Sequence, residues 1–132
     1  MGEPEMLAQV GPVKLRLQVM SAGTGAMGPG KAAVLEAIQT HGSITAAGRA
    51  LGMSYKRCWA LVDEMNRCWR TPLVTAVRGG PTQGALLTDE GTLVLEAFRA
   101  LEQRLTAATR EDPAYAALVD NLRETPLSPP GS

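Results

Sequence analysis

Polar and apolar positions change their period several times along this chain, and each change marks a predicted element. From Val13 through Lys14, Leu15, Arg16, Leu17 and Gln18 to Val19 the two kinds alternate strictly, which predicts one half-buried strand over 13–19. Residues 1–12 show no such period and are expected to be a flexible tail. Positions 20–30 hold four glycines and Pro29, the composition of a loop. The spacing then turns helical. Val34, Leu35 and Ile38 predict a helix over 31–41, and Ile44, Ala47 and Leu51 a second over 44–51 with Ser43 as its N-cap. Cys58, Val62, Met65 and Trp69, widened by Leu61, form the inward stripe of a third helix over 55–69, with Pro72 just beyond it. Two short apolar runs, 73–77 and 85–87, bracket a glycine-rich segment and predict a hairpin. Thr88 caps a long helix whose first turn carries Asp89 and Glu90, as the helix dipole favours. Leu93, Val94, Ala97, Phe98, Leu101 and Leu105 sustain its apolar face. Asp112 and Pro113 open a short helix with Tyr115, Leu118, Val119 and Leu122, and 125–132 have the composition of a disordered tail.

Helices two and three meet in a short turn. Ala46, Ala47 and Ala50 are small enough for them to cross closely, Gly52 suits the left-handed ending of the first, and Ser54 stands as the N-cap of the next. Crossed helices joined this way are the framework of the DNA-reading helix-turn-helix, and a hairpin placed after them reads as a wing. An ordinary helical hairpin satisfies the same periodicity.

Charge sharpens the choice. The chain of 132 residues has a formal net charge of zero, but its distribution is uneven. Residues 31–82 hold Lys31, Arg49, Lys56, Arg57, Arg67, Arg70 and Arg78 against Glu36, Asp63 and Glu64, a local excess of four positive charges. Residues 83–132 hold four arginines against eight acids. A basic middle and an acidic end suit a surface that attracts phosphate on one side only. Lys56 and Arg57 sit at the start of helix three, where basic charge is unfavourable for the dipole unless an external anion balances it. Tyr55, Lys56 and Arg57 are the candidate base readers, with Ser54 and Thr45 on phosphates and Arg78 at the hairpin tip reaching an adjacent groove or phosphate. Trp59 lies one position past Cys58 and is assigned to the core.

Enzymatic and metal chemistry find little support. Gly25-Ala26-Met27-Gly28-Pro29-Gly30-Lys31-Ala32 has the glycine and lysine spacing of a phosphate-binding loop, but Ala32 stands where a Mg²⁺-binding hydroxyl is needed. Cys58 and Cys68, ten positions apart on one helix, would lie roughly 15 Å apart by helical rise, too far to bridge. With His41 they make no zinc set, and His41 beside Gly42 reads as a helix-ending residue. No catalytic residue, metal or cofactor is expected. A reducing, cytoplasmic setting fits the two free thiols, and no run is apolar enough to span a bilayer.

The segments Lys31-Ala32-Ala33-Val34-Leu35-Glu36-Ala37-Ile38, Gly42-Ser43-Ile44, Leu51-Gly52-Met53-Ser54-Tyr55-Lys56, Trp59 and Asp63-Glu64-Met65-Asn66 carry a specific resemblance. Pro72-Leu73-Val74, Gly79-Gly80, Gly84-Ala85-Leu86-Leu87-Thr88 and Gly91 continue it. Together they resemble the N-terminal domain of the molybdate-dependent transcriptional regulator (ModE) family over about residues 13–105, and more distantly the winged helix of LysR-type regulators. The resemblance implies a dimer joined through the long helix after the wing, bound to a palindromic operator. Family members also carry a C-terminal pair of oxyanion-binding modules, which this chain is expected to lack, so molybdate binding is not carried over. Ala60 replaces a common acidic residue, and Thr75-Ala76 and Pro81-Thr82-Gln83 replace charged wing positions, which alters the expected operator.

The expected fold is therefore mainly α with a small β wing. A winged helix-turn-helix and its long dimerisation helix would fill 13–110, followed by a short helix and tail over 111–132. The expected partners are double-stranded DNA and a second copy, with no membrane, and a separate sensor protein is compatible with this reading. The alternative function is a winged-helix protein–protein adaptor.

Overall fold

Two serines and two glycines set the angles between the first three helices. The computed structural model describes residues 7–78 and 83–131. In it α1 (Pro29–His41) ends at Gly42, left-handed at φ +76°, with the Gly42 N–H donating to the Ile38 carbonyl. Ser43 Oγ then accepts from the Ala46 amide at 3.0 Å and starts α2 (Ile44–Leu51). Gly52, at φ +71°, ends α2, and Ser54 Oγ accepts from the Arg57 amide at 3.0 Å to start α3 (Tyr55–Cys68). The crossing of α2 and α3 is made by Ala47 and Gly48. A Cβ on Gly48 would lie 3.2 Å from the Met53 carbonyl oxygen and 3.3 Å from Cys58 Cβ. Ala50, expected at the crossing, faces solvent: it lies about 60° round α2 from Ala47, past the edge of the buried contact.

One core joins the first three helices to the wing and the long helix that follows it. Val34, Leu35 and Ile38 of α1, Ala47 of α2, and Cys58, Val62 and Met65 of α3 pack with Leu73, Val74, Ala85 and Phe98. Burying a side chain the size of Leu35 or Ile38 stabilises the fold by about 1.5–3 kcal/mol. Burial also pushes the Cys58 thiol above its ordinary pKa, so it behaves as a small apolar group.

Residues 7–28 hold more strand than their composition implies. Strands β1 (Ala8–Val10) and β2 (Val13–Leu15) form an antiparallel hairpin about Gly11, which has φ +55°. The tail expected over 1–12 is thus replaced by a strand from Ala8, while residues 1–6 lie outside the described residues. Strands β3 (Val19–Ser21) and β4 (Thr24–Met27) form a second hairpin where a loop was expected. The single strand expected over 13–19 is split, because the chain changes partner between Leu15 and Val19. Its alternation survives in burial: Val13, Leu15, Leu17 and Val19 are half-buried, whereas Lys14, Arg16 and Gln18 are exposed.

After α3 the wing is formed by β5 (Val74–Arg78) and β6 (Gln83–Leu87), antiparallel from Val74↔Leu87 to Arg78↔Gln83. Residues 79–82, the expected wing tip, lie outside the described residues. Thr88 locks the wing to α4 (Asp89–Glu111): its hydroxyl donates to the Pro72 carbonyl at 2.7 Å and accepts from the Gly91 amide at 3.0 Å. Arg99 of α4 forks onto Glu36 of α1 at 2.7 and 3.0 Å and reaches Glu102 at 2.7 Å. These hydrogen bonds raise the Arg99 pKa above its ordinary value. Asp112 caps α5 (Pro113–Asp120), whose Tyr115 hydroxyl comes back against Gly11. The architecture is a winged helix-turn-helix followed by a long helix. Among the described residues no helix is long and apolar enough to cross a membrane.

Candidate nucleic-acid interface

At 100° per residue, α3 presents four distinct sides. Cys58, Val62 and Met65 face the core. Lys56, Ala60, Asp63 and Arg67 lie opposite and line the outward face, where Asp63 and Arg67 pair at 3.1 Å. One flank carries Tyr55 and Trp59 toward the wing, and the other carries Arg57 and Leu61 toward the β3–β4 hairpin. The side chains able to meet a ligand therefore stand on a rigid helix that the core holds from behind.

The candidates named from sequence divide among these sides. Thr45, the second residue of α2, lines one groove with Tyr55, and across it stand Ala76 and Gln83 of the wing. Ser54 is exposed and spends its oxygen on the helix cap, which leaves its hydroxyl hydrogen for an external acceptor. Lys56 is exposed on the outward face. Arg57 instead shares a small cleft with Arg16 and Lys31, away from the groove. Arg78 is exposed at the distal end of β5, beside the residues outside the description. The basic first turn of α3 adds to the partial positive charge of its own N-terminus, and no acid in that turn offsets it.

Three features escaped the sequence reading. Trp59, assigned to the core, is 49 % exposed, because it lies 100° round the helix from Cys58. Lys31 serves structure: its ammonium donates to the Gly25 carbonyl at 2.7 Å and pairs with Glu64 of α3. The hydrogen bond and charge of Lys31 hold the Glu64 carboxyl below its usual range. The lysine of the phosphate-loop-like segment is thus occupied by the protein itself.

Asn66 is the third. Its Nδ2 donates to the Val74 carbonyl at 3.0 Å, and its Oδ1 accepts from the Leu73 and Val74 amides at 2.9 and 3.1 Å. One side chain so fixes where the wing leaves α3. Asn66→Ala is expected to cost about 2–3 kcal/mol, since three partly buried backbone groups lose their partner. Urea unfolding and hydrogen exchange at the wing amides measure this, and a loss below about 0.5 kcal/mol, the range of an ordinary surface change, would contradict it.

Comparison with known proteins agrees with this geometry. Residues 31–92, from α1 through the wing into α4, match the model of the bacterial regulatory helix-turn-helix proteins of the lysR family. The chain is 39 % identical over 98 residues to the molybdenum-pterin-binding protein MopA of Rhodobacter capsulatus, covering 74 % of this chain and 37 % of MopA. It is 46 % identical over 81 residues to MopB of the same organism, covering 60 % of this chain and 30 % of MopB. The molybdenum transport protein ModE of Azotobacter vinelandii is 43 % identical over 70 residues, covering 52 % and 26 %. The match to MopA spans only 37 % of that protein's length, and the other two span less. Over residues 31–92 the chain carries a helix-turn-helix domain of the bacterial regulatory lysR type, similar in sequence to parts of MopA, MopB and ModE.

Proposed function

We propose that this chain is a transcriptional regulator that binds duplex DNA with α3 in the major groove and acts as a homodimer on a palindromic operator. The observation that carries this reading is the outward first turn of α3. It is basic, capped by Ser54 and held from behind by the core within a regulatory helix-turn-helix. Lys56 reads a base edge, Arg57 takes a phosphate from its flank beside Arg16 and Lys31, and Thr45 and Ser54 position the backbone. Arg78 extends the same surface along the wing. The dimer forms through the long helix, whose Leu93, Leu101 and Leu105 are exposed. No catalytic step is part of this function. The molybdenum-pterin binding named for two relatives belongs to those longer proteins, and is not proposed for the residues present.

Binding of point variants to a preferred duplex at several salt concentrations tests the assignment. Lys56→Ala is expected to lose about 1–3 kcal/mol and to relax preference at one base pair per half-site. Arg57→Ala is expected to weaken all duplexes alike and to lower the salt slope by about one per protomer. Unchanged affinity in both would sink the docking mode and favour the adaptor reading.

A further inference from the structure

The ridge formed by Tyr55 and Trp59 is the largest exposed aromatic surface on α3, at 54 % and 49 % exposure. The two residues are one turn apart and so stand side by side along the helix. With Thr45, Ala76 and Gln83 they line a groove of about 230 Å³ between α3 and the wing. Trp69 makes the contrast clear: its indole N–H donates to the Ala26 carbonyl at 3.0 Å, which ties it into the fold. Neither the Trp59 indole nor the Tyr55 hydroxyl has a hydrogen-bond partner among the described residues. Among the described residues no packing contact explains an aromatic pair there. Large amphipathic rings placed this way are typical of surfaces that meet a partner.

Resting on the reading of α3 as a DNA-docking helix, we propose that Trp59 and Tyr55 are specificity-determining residues that recognise thymine through its 5-methyl group. The first turn of a recognition helix meets base edges in the major groove, and the methyl of thymine is the one apolar group displayed there. Lys56 lies 100° from Tyr55, and Arg57 twice that, so the polar contacts and the apolar reader occupy separate sides of the helix. Asp63, the acid that lines the groove among the described residues, is paired with Arg67. The enriched half-site therefore holds thymine opposite the ridge.

The test uses the full chain and a duplex enriched from a randomised pool, compared with the same duplex carrying deoxyuridine for thymine. Removal of one contacted methyl is expected to weaken binding about fourfold, the equivalent of one buried methylene. Trp59→Ala is expected to bind both duplexes equally and to keep the folded circular dichroism spectrum of the parent, since the ring lies outside the buried core. In a Trp69→Phe background the single remaining indole, Trp59, is expected to change its emission on binding the thymine duplex. Wild-type indifference to the methyl, or equal methyl sensitivity in Trp59→Ala and the parent, would overturn the proposal while DNA docking stands. Failure of the pool to yield any bound duplex would overturn both.

Discussion

Gly91→Ala is expected to destabilise the protein by about 3 kcal/mol, at the upper end for overpacking. Alanine inside a helix ordinarily improves on glycine by nearly 1 kcal/mol, so both the sign and the size depend on what the new methyl meets. A Cβ at Gly91 would lie 2.1 Å from the Leu73 carbonyl oxygen and 3.0 Å from the Leu73 carbonyl carbon. Both are backbone atoms, and no rotamer relieves the overlap. Leu73 is itself fully buried and held by Asn66, while its carbonyl accepts from the Thr88 amide at 2.9 Å. The helix would have to lift off the base of the wing. Gly23→Ala is the control, because a Cβ there meets nothing within 4 Å and should change stability by less than about 0.5 kcal/mol. Urea midpoints of the two variants decide the matter: equal midpoints would show that α4 does not seat on Leu73 as described.

The second large effect concerns association. One ridge of α4 runs through Leu93, Ala97, Leu101 and Leu105, and all four are exposed, while Val94, Leu95 and Phe98 are buried on the other side. Apolar residues spaced four apart on an open helix face are what a second helix would cover. The double variant Leu101→Asp, Leu105→Asp is expected to leave the protomer folded and to abolish the dimer in sedimentation. Affinity for a two-half-site duplex should then fall by roughly a hundredfold, because the second half-site is no longer held at high local concentration. A variant that still sediments as a tight dimer would move the interface elsewhere on the molecule.

Much of the fold was legible because its punctuation is chemical and local. Ser43, Ser54, Thr88 and Asp112 each cap the helix that the sequence assigned to them, and Gly52 is left-handed where a turn was required. These features depend on residues within a turn of each other, so spacing alone reveals them. The β3–β4 hairpin was hidden because Thr24, Gly25, Ala26 and Met27 carry no alternation, and they become a strand only by pairing with Val19, Met20 and Ser21. The demand on Gly91 and Gly48 is a contact with residues that periodicity does not bring together. Trp59 was misplaced because a one-position offset on a helix turns a side chain from the core toward solvent. The division of the candidate site was hidden for the same reason. Tyr55, Lys56 and Arg57 are neighbours in sequence, but successive positions on a helix face different ways, which leaves Arg57 with Arg16 and Lys31.

Selection of bound duplexes from a randomised pool by the full chain, at two salt concentrations, decides whether the chain reads DNA sequence as a dimer. The expected result is enrichment of an inverted repeat whose half-sites are about one helical turn apart, with discrimination that persists at the higher salt. Uniform weak binding that vanishes with added salt, with no sequence enriched, would contradict it.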